Sequence, residues 1–313
     1  MLRKFLIRHL AIYFMLTASF FGALMGAFAK ILSQDLPSVE VVFFRNFLGL
    51  IFIAYFLIKK PPTKCGGKFW LLLVRGFAGS ISMVAFFYNI ANMGLAEAFT
   101  FSKTAPIFLV LLVAVIFGEK VKINGWIAVF VGFLGIICII QPQLGFKTTD
   151  AMGLVNGFFA AVSYTSMREL HKYYDTRLIV LWFLIIASAL PFAMLLVGEF
   201  CEIPLKFAFL FPKFSMPNVL NWLFIFLLGI AGLLYQNYLT KAYSAARKAS
   251  NVAVVSYTDV LFSLIIGIFM GDNLPNFVAF LGIILVISSG ILVTIKKIRR
   301  NYDNNSRTLR HRK

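Results

Sequence analysis

The chain has 313 residues, 60% of them hydrophobic and 13% charged, with a mean hydropathy of +0.87. A soluble domain carries roughly 25% charged residues, so this composition excludes an ordinary soluble fold and makes the lipid bilayer the expected solvent. The formal net charge of +18 calls for an anionic partner, nucleic acid or an anionic lipid leaflet, and its placement decides between them.

A helix needs about 20 apolar residues to cross a bilayer. Ten segments are expected to do so: Leu10–Ala29, Ser38–Ile58, Phe69–Ile90, Glu97–Phe117, Ile123–Ile140, Met152–Met167, Leu178–Val197, Val219–Leu239, Asn251–Met270 and Phe277–Ile295. The first follows a basic start, as a signal peptide does, but its apolar run is too long for one and is read as a retained span. The sixth is short and polar. The links are short except Gly198 to Asn218, which has room for an interfacial helix. Phe is used 36 times, which suits lipid-facing and helix-packing surfaces.

The basic residues test this map. With both termini on one side, 23 Lys and Arg fall there and four on the other: Lys30, Lys147, Lys206 and Lys213. The rich side is then cytoplasmic. Most of the positive charge, including the 296–313 tail, faces an anionic cytoplasmic leaflet, so no nucleic-acid partner is expected. Arg45, Arg75 and Lys103 fall inside spans.

The two halves repeat. Phe20-Phe21 aligns with Phe158-Phe159 and Lys30 with Arg168 at a shift of 138 residues. Beyond the long link the shift is 153. It places Gly118 on Gly271, Glu119 on Asp272, Lys103 on Ser256 and Pro106 on Asp259. Five spans per half is an odd number, so the second half is inserted upside down. The expected fold is all-α integral membrane, ten transmembrane helices in two inverted five-helix repeats, residues 10–140 and 151–295, followed by a basic cytoplasmic tail.

Ions inside spans face a bundle interior or a wet cavity more often than lipid. Lys103 lies early in the fourth span between Ser102 and Thr104. It either binds an anionic group of a ligand, snorkels to the interface, or neutralises a buried acid. Asp259 lies deeper, in the ninth span, as a protonatable coupling site or a structural partner of Lys103 or Arg75. The alignment puts Lys103 and Asp259 three positions apart on equivalent helices, hence on one helical face. Arg45 and Arg75 suit bidentate carboxylate or phosphate contacts, or interhelical fastening. Gln236, Asn89, Tyr257, Asn156 and Tyr164 either line a cavity or make interhelical hydrogen bonds. Gly22 with Gly26, and Gly132 with Gly135, read as packing signals.

Catalysis finds little support. Cys65, Cys138 and Cys201 share no spacing for a disulfide framework or a zinc site. His9, His171 and His311 sit at span edges or in the tail, and P-loop, H-E-x-x-H and G-x-S-x-G patterns are absent. No cofactor or metal is expected, and no enzyme.

The chain resembles ten-helix members of the drug/metabolite transporter superfamily with two EamA-type repeats. The resemblance rests on Arg45 in VVFFRNFLGL, the run VRGFAGSISMVAFFYNIA around Arg75, TAPIFLVLLVAVIFGEK ending at Glu119 and Lys120, and VSYTDVLFSLIIGIFMGDN in the second half. It covers roughly Ile12 to Ile295. The second half departs from the pattern with Asp259 where such repeats carry proline and Asp272 where they carry glutamate. The resemblance implies secondary active transport of a small polar organic metabolite by alternating access in the cell inner membrane; an amino acid or related zwitterion is preferred because both signs of charge lie within the spans. The chain would act as monomer or homodimer, with Lys103, Asp259, Arg45, Arg75, Gln236, Tyr257 and Asn89 as substrate or coupling residues. The alternatives are a multidrug or organic-cation exporter of the same family and a non-transport multispan protein.

Overall fold

The computed structural model describes residues 2–59, 61–62, 64, 66–116, 123–141, 145–170, 173–245, 255–289 and 291. The Gly118–Glu119 end of the fourth span, Cys65, His171 and the tail lie outside them.

The described residues form α1 (Leu2–Leu32), α2 (Ser38–Lys59), α3 (Phe69–Asn92), α4 (Leu95–Ser102), α5 (Ala105–Ile116), α6 (Ile123–Ile140), α7 (Thr148–Leu170), α8 (Thr176–Phe200), α9 (Val219–Ala245), α10 (Thr258–Phe269) and α11 (Phe277–Ser289). Among them no strand occurs. By length and composition, α1, α2, α3, α8 and α9 hold full membrane spans, while α10, α11 and part of α6 are shorter apolar helices. Large apolar side chains such as Ile58, Phe130, Phe200 and Phe277 point outward, as a lipid solvent permits and water does not.

Three local expectations need correction. The fourth span is two helices, not one. Pro106 has no N–H to give to Ser102, and the chain turns at Lys103-Thr104 instead. Lys103 N–H donates to the Phe99 and Thr100 carbonyls, Thr104 N–H donates to Phe101 O, and Thr104 Oγ1 donates to the same oxygen at 2.6 Å. The sixth span is not short: α7 runs 23 residues, its start held by Asp150 Oδ2 accepting from Lys147 N–H at 2.8 Å. The long link carries only a single 3₁₀ turn at Leu205–Phe207. It folds back so that Ser215 N–H donates to Glu40 Oε2 at 3.1 Å, and Glu40 is fully buried.

The ninth span breaks where the 153-residue shift carries the first break. Val255 is helical, Ser256-Tyr257 turn, and α10 starts at Thr258. There is no proline here. The turn is closed by Thr258 Oγ1 donating to Val255 O at 2.7 Å, and Asp259 occupies the first turn of α10. A carboxylate is favoured there by the free N–H groups and the macrodipole.

Helix packing carries the same two-fold relation. Interface α1–α9 has its counterpart in α3–α7, and α2–α9 in α3–α8, while α2–α8 is its own counterpart. Single contacts obey it. Asn46 Nδ2 donates to Ala187 O at 2.9 Å, and the equivalent pair, Leu184 and Gly49, touches at 3.4 Å from a Cβ position. Gly76 packs on Ile186, and its equivalent Gly229 packs on Leu48, the equivalent of Ile186. Glycines elsewhere admit close approach in the same way. Gly22 receives the Tyr235 ring, Gly26 receives Phe99, and Gly135 meets Gly282, where a Cβ on either would come within 2.9 Å or 2.7 Å of the other's carbonyl oxygen.

Candidate functional site

The two helix breaks face one another. Lys103 caps α4 and Asp259 begins α10, and Lys103 Nζ lies 2.6 Å from Asp259 Oδ2. Both side chains are largely enclosed, with 17% and 5% of their surfaces accessible. Tyr257, buried on the turn before α10, presents its ring 5.8 Å from Lys103 Nζ. The breaks explain the placement. An unbroken helix would spend its backbone polar groups internally and set these side chains against apolar neighbours. A two-residue turn brings polar groups of both halves to one point, as discontinuous helices do where irregular backbone lines a site.

The pair is incompletely satisfied. Asp259 Oδ1 is buried and makes no well-formed hydrogen bond among the described residues, with only the backbone N–H groups of Asp259 and Val260 close to the carboxylate. A buried ion pair repays its desolvation only when its remaining lone pairs find donors. An orphan carboxylate oxygen beside a shared lysine is a place where a further donor, a substrate ammonium or a proton, is accommodated at little structural cost.

Arg45, Arg75, Asn89 and Gln236 do not join this pair. Arg45 is buried in α2, and its Nη1 donates to Asn46 Oδ1 at 2.7 Å and to Met83 Sδ at 3.6 Å. Arg75 in α3 donates to Ser163 Oγ and lies over the Phe183 ring at 4.7 Å. Among the described residues neither arginine has a carboxylate partner. Asn89 is fully buried with both side-chain polar atoms unpartnered among the described residues, and Gln236 is half-buried on α9. Asn156 is structural, donating to Ser82 O at 2.8 Å across α3–α7.

A second ionic cluster closes one end of the same helix set. Lys30, in the last turn of α1, forms an ion pair with Asp272 just beyond α10 and donates to Met93 O at 3.1 Å. Asp272 Oδ2 accepts from Leu95 N–H, the first residue of α4, at 2.8 Å. Glu97 lines the same narrow cleft with Ser263 and Gly267. Sequence reading treats Lys30 and Asp272 as topology and repeat markers only. The signal for their pairing is that opposite charges end two spans on one predicted face. The repeat relates this cluster to the Arg168 side chain and Glu119, both of which lie outside what the structure describes.

Residues 9–141 match the model of the EamA-like transporter family. An uncharacterized transporter of Helicobacter pylori is 34% identical over 285 residues, covering 90% of this chain and 93% of that one. The pseudopaline exporter of Pseudomonas aeruginosa is 29% identical over 90% of this chain and 94% of its own. The S-adenosylmethionine uptake transporter of Rickettsia prowazekii is 22% identical over 85% of both. A solved crystal structure aligns over 93% of this chain and 99% of its own with a TM-score of 0.56 at 17% identity, a likeness of fold alone.

Proposed function

The chain belongs to the EamA-like transporter family of the drug/metabolite transporter superfamily, and from that premise we propose that it moves a small zwitterionic metabolite, an amino acid or amino-acid derivative, by alternating access around the Lys103–Asp259 pair. The reading is carried by one observation: a buried ion pair, one from each half, at two equivalent helix breaks, with one carboxylate oxygen left unpartnered. A zwitterion replaces both partners at once. Its carboxylate takes the Lys103 ammonium and its ammonium takes Asp259. The pair opens on binding and re-forms on release, so the empty carrier buries no unpaired ion. The relatives' named solutes, pseudopaline and S-adenosylmethionine, fit a small-molecule substrate, and one exports while the other takes up.

The carrier sits in the cytoplasmic membrane with both termini inside, by the bias of basic residues. With no nucleotide-binding motif in the sequence, an ion gradient or exchange drives it, and Asp259 takes up the coupling proton. Catalysis has no part in this proposal.

The testing experiment is a thermal melt of the detergent-solubilised full chain against amino acids, nucleosides and cationic drugs, with Lys103→Ala and Asp259→Asn in parallel. A ligand at 100 times its Kd adds about 2.7 kcal/mol of stability. A zwitterion that stabilises the native chain but not Lys103→Ala supports the reading. Stabilisation by bulky cations alone, lost in Asp259→Asn and kept in Lys103→Ala, replaces it with organic-cation export.

A further inference from the structure

Each half of the molecule carries a glycine against which a guanidinium is buried, and the two glycines are equivalent under the repeat although the arginines, both from the first half, are not. On α3, a Cβ at Gly79 would lie 2.6 Å from Arg75 Nη1, 2.8 Å from Phe183 and 3.0 Å from Ser163 Oγ. On α9, a Cβ at Gly232 would lie 3.3 Å from Arg45 Nε and 3.4 Å from Met25 Sδ. The shift of 153 carries Gly79 onto Gly232. The shift of 138 carries Met25 onto Ser163 and Arg45 onto Phe183. The two clefts are thus one cleft built twice. In one the cation comes from the glycine-bearing helix itself, in the other from the facing helix.

That difference is informative. A guanidinium inherited with an ancestral repeat would stand at equivalent positions. Here two different helices of the first half, α2 and α3, supply it to two equivalent places, so the place requires it. Packing does not, since an ion inside a span costs at least a few kcal/mol. Nor does ion pairing, since neither arginine has a carboxylate partner among the described residues. Arginine's planar fork is suited to two parallel hydrogen bonds to a carboxylate.

Depth gives the two clefts opposite addresses. Arg45 lies seven residues into α2 and Arg75 six residues into α3, about 10 Å along each helix. Consecutive spans run in opposite directions, so the two lie on opposite sides of the midplane. By the same count Lys103 lies eight residues beyond the start of α4, about 12 Å along its span, just deeper than Arg45 from the same face.

We propose that Arg45 and Arg75 are two carboxylate-binding stations, one serving each membrane face, between which the acidic end of the substrate passes Lys103. This rests on the transport reading above. In the state that opens a face, the station on that face holds the carboxylate first, and Lys103 receives it next. The order reverses at the opposite face.

Two measurements test this without knowing the substrate. In a chain with Cys65, Cys138 and Cys201 changed to serine, Arg45→Cys and Arg75→Cys are labelled with a membrane-impermeant maleimide in right-side-out and inverted vesicles. The two positions are expected to label from opposite faces. Labelling of both from one face, or of neither in a folded chain, overturns the proposal. Separately, purified chain is melted in sodium acetate against sodium chloride at about 50 mM each, where a carboxylate site raises Tm by about 2 °C. The rise is expected to shrink in Arg45→Lys and in Arg75→Lys, which keep the charge and lose the fork. It is expected to vanish in Arg45→Gln/Arg75→Gln. No acetate shift in the native chain, or an undiminished shift in the double variant, also overturns the stations. The double variant Lys103→Gln/Asp259→Asn separates the two ideas. If it still transports, the central-pair reading fails while the stations stand on labelling and acetate alone.

Discussion

Two ion pairs hold the same helices in opposite ways. Lys30–Asp272 sits at one end, and its partners are complete: the lysine also donates to Met93 O, and the aspartate also accepts from Leu95 N–H. Lys103–Asp259 sits at the helix breaks, and one aspartate oxygen makes no well-formed hydrogen bond among the described residues. The accessible share of the side-chain surface is 19% and 15% in the first pair, against 17% and 5% in the second. The more buried pair is therefore the less satisfied one. A pair that only fastened helices would show the reverse, because unmet lone pairs cost most where water is absent. On the proposed reading the end pair is a latch and the central pair a site.

The largest effect follows from breaking the central pair on one side. Lys103→Met or Asp259→Leu alone leaves an unpaired buried ion and is expected to lower stability by about 3–5 kcal/mol. The double substitution is expected to restore stability to within about 1 kcal/mol of the native chain while leaving it inactive. Melts of the three variants together with flux measurements check this. Full activity in the double variant would make the pair a mere fastening.

The latch ranks second. Lys30→Ala or Asp272→Ala is expected to cost about 1–2 kcal/mol, to weaken in high salt, and to raise labelling of a cysteine placed at Ser263 from that face. Equal costs at latch and centre would erase the contrast between them.

Close packing comes next. Valine at Gly282 meets the Gly135 carbonyl, with even a Cβ at 2.7 Å, and is expected to cost about 1–3 kcal/mol in a melt.

The smallest effect concerns the first break. Pro106→Ala is expected to change stability by less than about 1 kcal/mol, because the second break forms without proline. A larger loss would show that the two halves hold their turns by different means.

Much of this architecture is legible in the sequence because it rests on periodic or additive signals. Hydropathy places the helices, and two residue shifts align the halves. The same shifts set Lys103 and Asp259 near one another, and the structure pairs them. What hydropathy does not register is a two-residue turn inside an apolar run. Lys103-Thr104 and Ser256-Tyr257 read as helix because their neighbours are helix formers, and the break depends on hydrogen bonds from Thr104 and Thr258. Nothing local in the sequence shows that the 201–218 link folds back over Glu40. The Lys30–Asp272 latch joins residues 242 positions apart, beyond any local pattern, and the shared environment of Gly79 and Gly232 emerges only when contacts are laid on the repeat.

The most direct test of the central claim is flux. Wild-type, Lys103→Gln and Asp259→Asn chains are reconstituted into proteoliposomes, and exchange of a labelled amino acid is followed with and without an imposed proton gradient. The account predicts gradient-driven accumulation by the wild type, loss of both exchange and accumulation in Lys103→Gln, and loss of proton-driven accumulation in Asp259→Asn. Accumulation in Asp259→Asn that still follows the proton gradient at the wild-type rate would contradict it.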